Sequence, residues 1–313
     1  MSKPNKSSGA YLVEVDSDRA GQRLDNFLAG KLKGVPKSAV YRMIRTGQVR
    51  INGGRCKAAS RLEEGDKVRI PPAHTRDRGE VVVSDRVIQQ LEDAIIHESP
   101  DLLLINKPSG MAVHSGSGLP WGLIDAIRQS RPGEYVELVH RLDRETSGCL
   151  VLARNGPALN ALSAQFRDGQ VQKRYLCLMN GRMREAVIDV DAPLRKVQSG
   201  NTGLVEVDAE EGKPALTRFH LLQDYRDCSY VEVELFTGRT HQIRAHAKHL
   251  GLPLAGDDRY ASRESLKKWK KRGLGRIFLH AHRLGLNGLS GEPLTFDAPL
   301  PGPLRKVLDG LEQ

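Results

Sequence analysis

A nine-residue run, HRLDRETSG at 140–148, sets one carboxylate, Asp143, between two arginines, Arg141 and Arg144. Cations that close keep a carboxylate ionised, as a nucleophile or a stabiliser of cationic sugar character requires. The same pattern also serves a surface turn whose local ion pairs add little stability, and the run alone does not separate the two readings. A second run, FTGRTHQIRAH at 236–246, leads into a helix expected to begin near Thr240, a suitable N-cap. Ile243, Ala247 and Leu250 would face the core, leaving His241, Arg244 and Lys248 on another face at i, i+3 and i+7. Between the two runs lies QKRYLCLM at 172–179, a strand pattern in which Lys173, Tyr175 and Cys177 share a face. A strand tyrosine usually packs, but its flat ring also suits a nucleobase.

The elements that must carry these groups are legible in the apolar spacing. Val136, Leu138 and Val139 lead into the Asp143 run and Leu150 to Ala153 lead out, so it is a loop joining two strands. AIIHES and LLLINKP are short strands, and YVEVELF at 230–236 alternates, with Val231, Val233 and Leu235 opposite Glu232 and Glu234. That alternation implies an antiparallel sheet with one wetted face. GPALNALSAQF at 156–166 has Leu159, Leu162 and Phe166 at helical spacing, so helices pack on the sheet and the class is α+β.

The first quarter is different in character. Residues 1–80 hold 17 Lys and Arg against 9 Asp and Glu, which is +8 of the chain's +10, and a segregated basic segment favours a polyanionic partner. Leu24, Phe27, Leu28 and Leu32 mark one helix, followed by a turn at Gly34 and Pro36. Val40, Met43 and Ile44 mark a second, which Gly47 should end. Lys37, Tyr41 and Arg45 recur every fourth residue with Arg42 beside them, a cationic stripe suited to phosphates. Arg50 and Arg69 alternate with apolar neighbours in two short strands and should stand on their solvated side. The expected organisation is a flexible tail over 1–20, a small basic domain over 21–72, a linker over 73–93 marked at its start by PPAHTRDRGE at 71–80, and a large domain over 94–313.

Several chemistries are disfavoured. No Gly-rich phosphate loop or dinucleotide fingerprint follows any strand, so no nucleotide cofactor is expected. Cys56, Cys149, Cys177 and Cys228 lack the close pairing of a zinc knuckle or a zinc deaminase. His246 and His249 have no third ligand at suitable spacing, and no metal is expected. No apolar run approaches the ~18 residues of a membrane helix, and MSKPNKSSGA is not an apolar export signal, so a cytoplasmic location is expected.

HRLDRETSG, KRY at 173–175, GRTHQIRAH and PLAGDDRY at 253–260, in this order, resemble the signatures of the RluA/RluC family of RNA pseudouridine synthases. QRLDNFL, GVPKSAVYRMIRTGQVRING and GDKVRIPP resemble the small RNA-binding domain of ribosomal protein S-four. The resemblance runs from about Gly21 to beyond Pro299, and APLRK, the QSG turn, EGKPALTRF and GRIFLHAHRL are similar to the subgroup that acts on large-subunit ribosomal RNA. It implies an S-four-like RNA-binding domain followed by a catalytic domain on a mixed, mainly antiparallel sheet with flanking helices. It further implies Asp143 as the catalytic carboxylate, Arg244 as the partner that holds it charged, and Tyr175 stacked on the target uracil. Arg141 would fill the gap left by the extruded nucleotide, and Lys37, Tyr41, Arg42, Arg45, Arg50 and Arg69 would contact RNA. Cys177 and Ala261 depart from the residues common at their positions, which bears on local packing. The implied partner is large-subunit rRNA or its precursor particle, met by a monomer without a cofactor. Other rRNA or tRNA uridines, or a non-catalytic ribosome-assembly role, are the alternatives, and whether Asp143 bonds covalently or takes a proton stays open at this level.

Overall fold

The structure, a computed structural model, describes residues 9–32, 35–73, 82–115, 119–199 and 202–312. The N-terminal unit comprises β1 (Tyr11–Glu14), α1 (Leu24–Lys31), α2 (Lys37–Arg45), β2 (Arg50–Ile51) and β3 (Lys67–Ile70). Its three strands pair in the order β1-β3-β2. Leu24, Phe27, Leu28, Val40 and Ile44 meet Val68 and Ile70 in one small core, so the two helical stripes read from sequence do face the sheet. Gly47 follows α2 with φ of +73°, the left-handed turn that glycine adopts without strain.

Two expected boundaries change. The segment 1–20 is not a tail throughout, because Tyr11–Glu14 pairs with β3 and Val15 is buried in the core. The segment 73–93 is not a linker throughout. Asp85–Glu92 forms α3, whose Leu91 is fully buried against the core of the large unit. The remainder of both expectations, residues 1–8 and 74–81, lies outside the described residues, as do Gly34 and Gly200 of the anticipated turns.

The large unit continues with β4 (Ile95–Glu98), β5 (Leu102–Lys107), α4 (Leu123–Ser130), β6 (Glu137–Leu138), β7 (Ser147–Ala153), α5 (Gly156–Arg167) and β8 (Gln172–Asn180). Then come β9 (Val187–Asp191), β10 (Leu194–Ser199), β11 (Thr202–Val207), β12 (Leu216–Asp224), β13 (Cys228–Leu235), α6 (Gln242–His249) and α7 (Arg263–Lys271). β14 (Leu279–Asn287), β15 (Pro293–Asp297) and α8 (Gly302–Asp309) complete it. Among the described residues the main sheet runs β4-β5-β7-β14-β8-β13-β12-β9, with β15 beside β14 and β6 beside β7. Among the described residues only β7 and β14 pair in parallel, so the sheet is mixed and mainly antiparallel as expected.

That parallel pair sits at the sheet's centre, and Gly148 makes it possible. A Cβ there would lie 2.2 Å from the Ala281 carbonyl oxygen, and its φ is +114°. β14 therefore brings together β7, which follows the Asp143 loop, and β8, which carries Tyr175. Val231, Val233 and Leu235 of β13 are buried with Ile243 and Ala247 of α6, while Glu232 and Glu234 stay on the wetter face, as the alternation implied.

Candidate active site

The Asp143 loop is held at both ends. On the near side, His140 stacks on Phe166 with ring centroids 4.4 Å apart, and its Nε2 accepts the Val151 N–H at 3.0 Å. A nitrogen that accepts carries no proton, and burial, with the nearby charge of Lys173, pulls the His140 pKa down to about 3. On the far side, the fully buried Lys107 donates through Nζ to the carbonyls of Pro108, Met111 and Arg144 at 2.8, 2.8 and 3.1 Å. Burial first, then the charge of Arg276, draws its pKa down to about 7 against the opposing pull of Glu145 and Asp143. Ser109 adds a bond from Oγ to the Glu145 carbonyl at 2.7 Å, and the Thr146 N–H closes the turn on the Asp143 carbonyl at 3.1 Å. The loop backbone is thus pinned while the Asp143 side chain keeps 26% of its surface exposed.

Asp143 and Tyr175 share a cleft of about 530 Å³ that is also lined by the GRTHQIR run leading into α6. Tyr175 projects from β8; burial, then the negative charge of Asp143, pushes its phenol pKa up, so the ring stays neutral. Arg244 also lines the cleft, but it is buried rather than on a solvated face. Its Nε and Nη2 bond Asp257 at 2.7 and 2.5 Å, and no Arg244 nitrogen comes within 4.0 Å of an Asp143 oxygen. Burial lowers the Arg244 pKa, yet the Asp257 bonds together with the charges of Asp257 and Asp143 outweigh that and leave it raised. The expected partnership of Arg244 with Asp143 is thus not a direct ion pair: the guanidinium is bound by Asp257 and stands near Asp143 as a fixed charge. Among the described residues, the side-chain nitrogen within 4.0 Å of Asp143 is Nε2 of His241, at 3.9 Å.

α6 begins one residue later than its sequence suggests. Its N-cap is His241, held in the left-handed region at φ 53°, rather than Thr240. Gln242 accounts for the shift, because its Oε1 accepts from the Arg239 N–H and the Thr237 hydroxyl and tightens the preceding turn. His246 is not placed as a metal ligand: its ring nitrogens meet Thr217 Oγ1 at 2.8 Å and the Ala192 carbonyl at 2.9 Å.

Arg141 is exposed on the cleft's rim. In the N-terminal unit Lys37, Tyr41, Arg42 and Arg45 are exposed along α2, and Arg50 and Arg69 are exposed directly across the β2–β3 ladder from one another. Three are partly committed: Tyr41 donates to Asp25 at 2.8 Å, Arg50 to the Gly47 and Gly53 carbonyls, and Arg69 to the Gln48 carbonyl. Lys37, Arg42 and Arg45 have no carboxylate within 4.0 Å among the described residues.

Four contributors escaped the sequence reading: Lys107, His241 as more than a helix-face residue, Asp257 and Tyr260. A lysine two residues after the apolar run LLLI was one available signal, and the two adjacent carboxylates of PLAGDDRY were another.

Residues 101–249 match the family described as RNA pseudouridylate synthase, and residues 22–68 match the S4 domain. The chain is 46% identical over 308 residues to ribosomal large subunit pseudouridine synthase C of Yersinia pestis, with 96% of each chain covered. Its identity to the protein of the same name from Escherichia coli (strain K12) is 45% over 308 residues, again covering 96% of each. Among solved structures, human RNA pseudouridylate synthase domain containing 4 superposes with a TM-score of 0.60 at 25% identity, covering 73% of this chain and 97% of that one. No helix among the described residues is long and apolar enough to cross a membrane.

Proposed function

Because the chain belongs to the RNA pseudouridylate synthase family and carries an S4 domain, we propose that it converts uridines of large-subunit ribosomal RNA to pseudouridine through Asp143. The observation that carries this reading is the shared cleft, lined by one loop carboxylate, a half-buried neutral tyrosine ring and a fixed arginine charge.

The reaction breaks the bond from the sugar carbon to N1, turns the uracil, and forms a bond from the same carbon to C5. The C5 proton leaves and N1 regains one, so atoms and oxidation states balance without a co-reactant. Cleavage builds positive character at the sugar carbon, and an adjacent carboxylate stabilises it, as in glycoside hydrolysis. The target nucleotide leaves its stack to enter the cleft, at a cost of about a few kcal/mol. Stacking on Tyr175 returns roughly 1–3 kcal/mol, and Arg141 at the rim occupies the vacated gap. The exposed cations of the S4 domain supply salt-sensitive phosphate contacts. The scheme calls on no second copy of the chain, and the reading extends to a monomer acting in the cytoplasm on rRNA or its precursor particle.

The test is Asp143→Asn with uridine conversion followed by carbodiimide labelling of rRNA. The expected result is loss of product with RNA binding largely retained. Normal turnover by this variant overturns the reading, and binding without conversion by the wild-type chain favours an assembly factor instead.

A further inference from the structure

His241 is an unusual residue to find at a helix N-cap, since its left-handed backbone at φ 53° and ψ 20° is one that β-carbon sterics disfavour. Its ring lies in the cleft with only 10% of the side chain exposed. Edge-on to it stands Tyr260, ring centroids 5.8 Å apart, whose Oη lies 3.0 Å from His241 Nδ1. The same Oη accepts the Val205 N–H of β11 at 2.9 Å.

These contacts decide where the imidazole proton sits. A phenol has one proton to give. Burial raises the Tyr260 pKa, so it keeps that proton, and with Val205 already donating, the described partner left to receive it is His241 Nδ1. An accepting Nδ1 places the ring proton on Nε2, the nitrogen 3.9 Å from Asp143 Oδ2. The groups around this ring are Asp143 on the β6–β7 loop, Arg244 on α6, and Asp257 and Arg259 on the segment before α7. Burial first, then the charges of Arg244 and Arg259, draws the His241 pKa down against the opposing pull of Asp143 and Asp257, so the imidazole is neutral.

We propose that His241 is a positioning residue for Asp143. The Val205–Tyr260 chain fixes its tautomer, and its Nε2–H closes on Oδ2 as the nucleotide enters, aiming the carboxylate at the sugar carbon. A separation of 3.9 Å is too long for a hydrogen bond, but such contacts commonly shorten only when substrate is bound. The held loop backbone leaves the Asp143 side-chain torsions as the freedom that must be restrained, and His241 is the group within reach to restrain them. The inference rests on the proposed function, since it assigns a task to Asp143 in that reaction.

The experiment compares three variants for single-turnover rate, RNA affinity and thermal midpoint. His241→Asn suits the left-handed backbone but its amide reaches only the Nδ1 position, whereas His241→Gln places an amide N–H near the Nε2 position. His241→Ala removes both. The expected result is a fall in rate on the order of tenfold or more for Asn and Ala, the scale of a hydrogen bond to a charged group. Gln should recover most of the rate, and affinity should stay unchanged throughout. Full rate in the Asn variant, or equal loss in all three, overturns the proposal. A second readout needs no variant to fold: the 15N shifts of His241 in the wild-type chain should report the proton on Nε2 at neutral pH, and a proton on Nδ1 overturns it. Conversion by the wild-type chain in the same assay tests the underlying reaction separately.

Discussion

Arg244 spends its guanidinium on Asp257, 13 residues further along the chain, and the pair is buried in the wall of the cleft. Asp257 also accepts the backbone N–H groups of Arg259 and Tyr260, so one carboxylate organises both the arginine and the tyrosine that reach the site. Breaking a buried pair leaves an uncompensated charge, which typically costs about 3–5 kcal/mol. Asp257→Asn should therefore lower the urea-unfolding free energy by that amount and reduce turnover with it. A stability within about 0.5 kcal/mol of wild type, the range of an ordinary surface change, would show that Arg244 is held by something else.

Acid sensitivity follows from His140. An imidazole in the unfolded chain titrates near about 6.5, while in the folded chain burial holds His140 near about 3. Between those values the unfolded state binds more protons, so stability rises with pH across the window and is lost as pH falls through it. One full proton corresponds to about 1.4 kcal/mol per pH unit. His140→Gln keeps an acceptor for the Val151 N–H without a titrating group, and its stability-versus-pH curve should be flatter by close to one proton in this range. An unaltered slope in urea titrations contradicts the assignment.

The exposed cations of α2 should set affinity more than rate. Replacing Lys37, Arg42 and Arg45 by Gln removes three candidate phosphate contacts. The slope of log K against log salt should then fall by about 2 to 3. The rate at saturating RNA should be unchanged. Equal salt slopes for the two proteins would place the RNA elsewhere.

Gly148→Ala tests the centre of the sheet. The added methyl would meet the Ala281 carbonyl at 2.2 Å in a backbone region that alanine avoids, so β14 must move away from β7. The expected loss is about 3 kcal/mol or more, seen as a lowered denaturation midpoint. A neutral substitution would mean that the parallel pairing is looser than described.

How far the sequence carries depends on whether a feature is local. The helices of the basic unit, the alternation of β13 and the strand-loop-strand setting of Asp143 follow from spacing within a few residues, and all are found. The partner of Arg244 is not local in this sense. Asp143 and Asp257 are both acidic and both lie outside the helix that carries Arg244, and only the packing of the turn before α7 decides between them. His241 was hidden for another reason, because a left-handed N-cap looks like the first residue of a helix until Gln242 tightens the turn before it. β1 is not legible locally, since YLVE is short and its pairing partner in β3 lies more than fifty residues away.

The order β7-β14-β8 has a consequence for synthesis. The strand that joins the two halves of the cleft is among the last to leave the ribosome, since residues 279–287 follow nearly everything they hold together. While translation is under way, the carboxylate loop and the tyrosine strand have no common edge to lean on. A nascent polypeptide therefore emerges with the two sides of its cleft unassembled, and a message truncated before this point yields two sheet fragments with unpaired inner edges, natural substrates for chaperones and proteases.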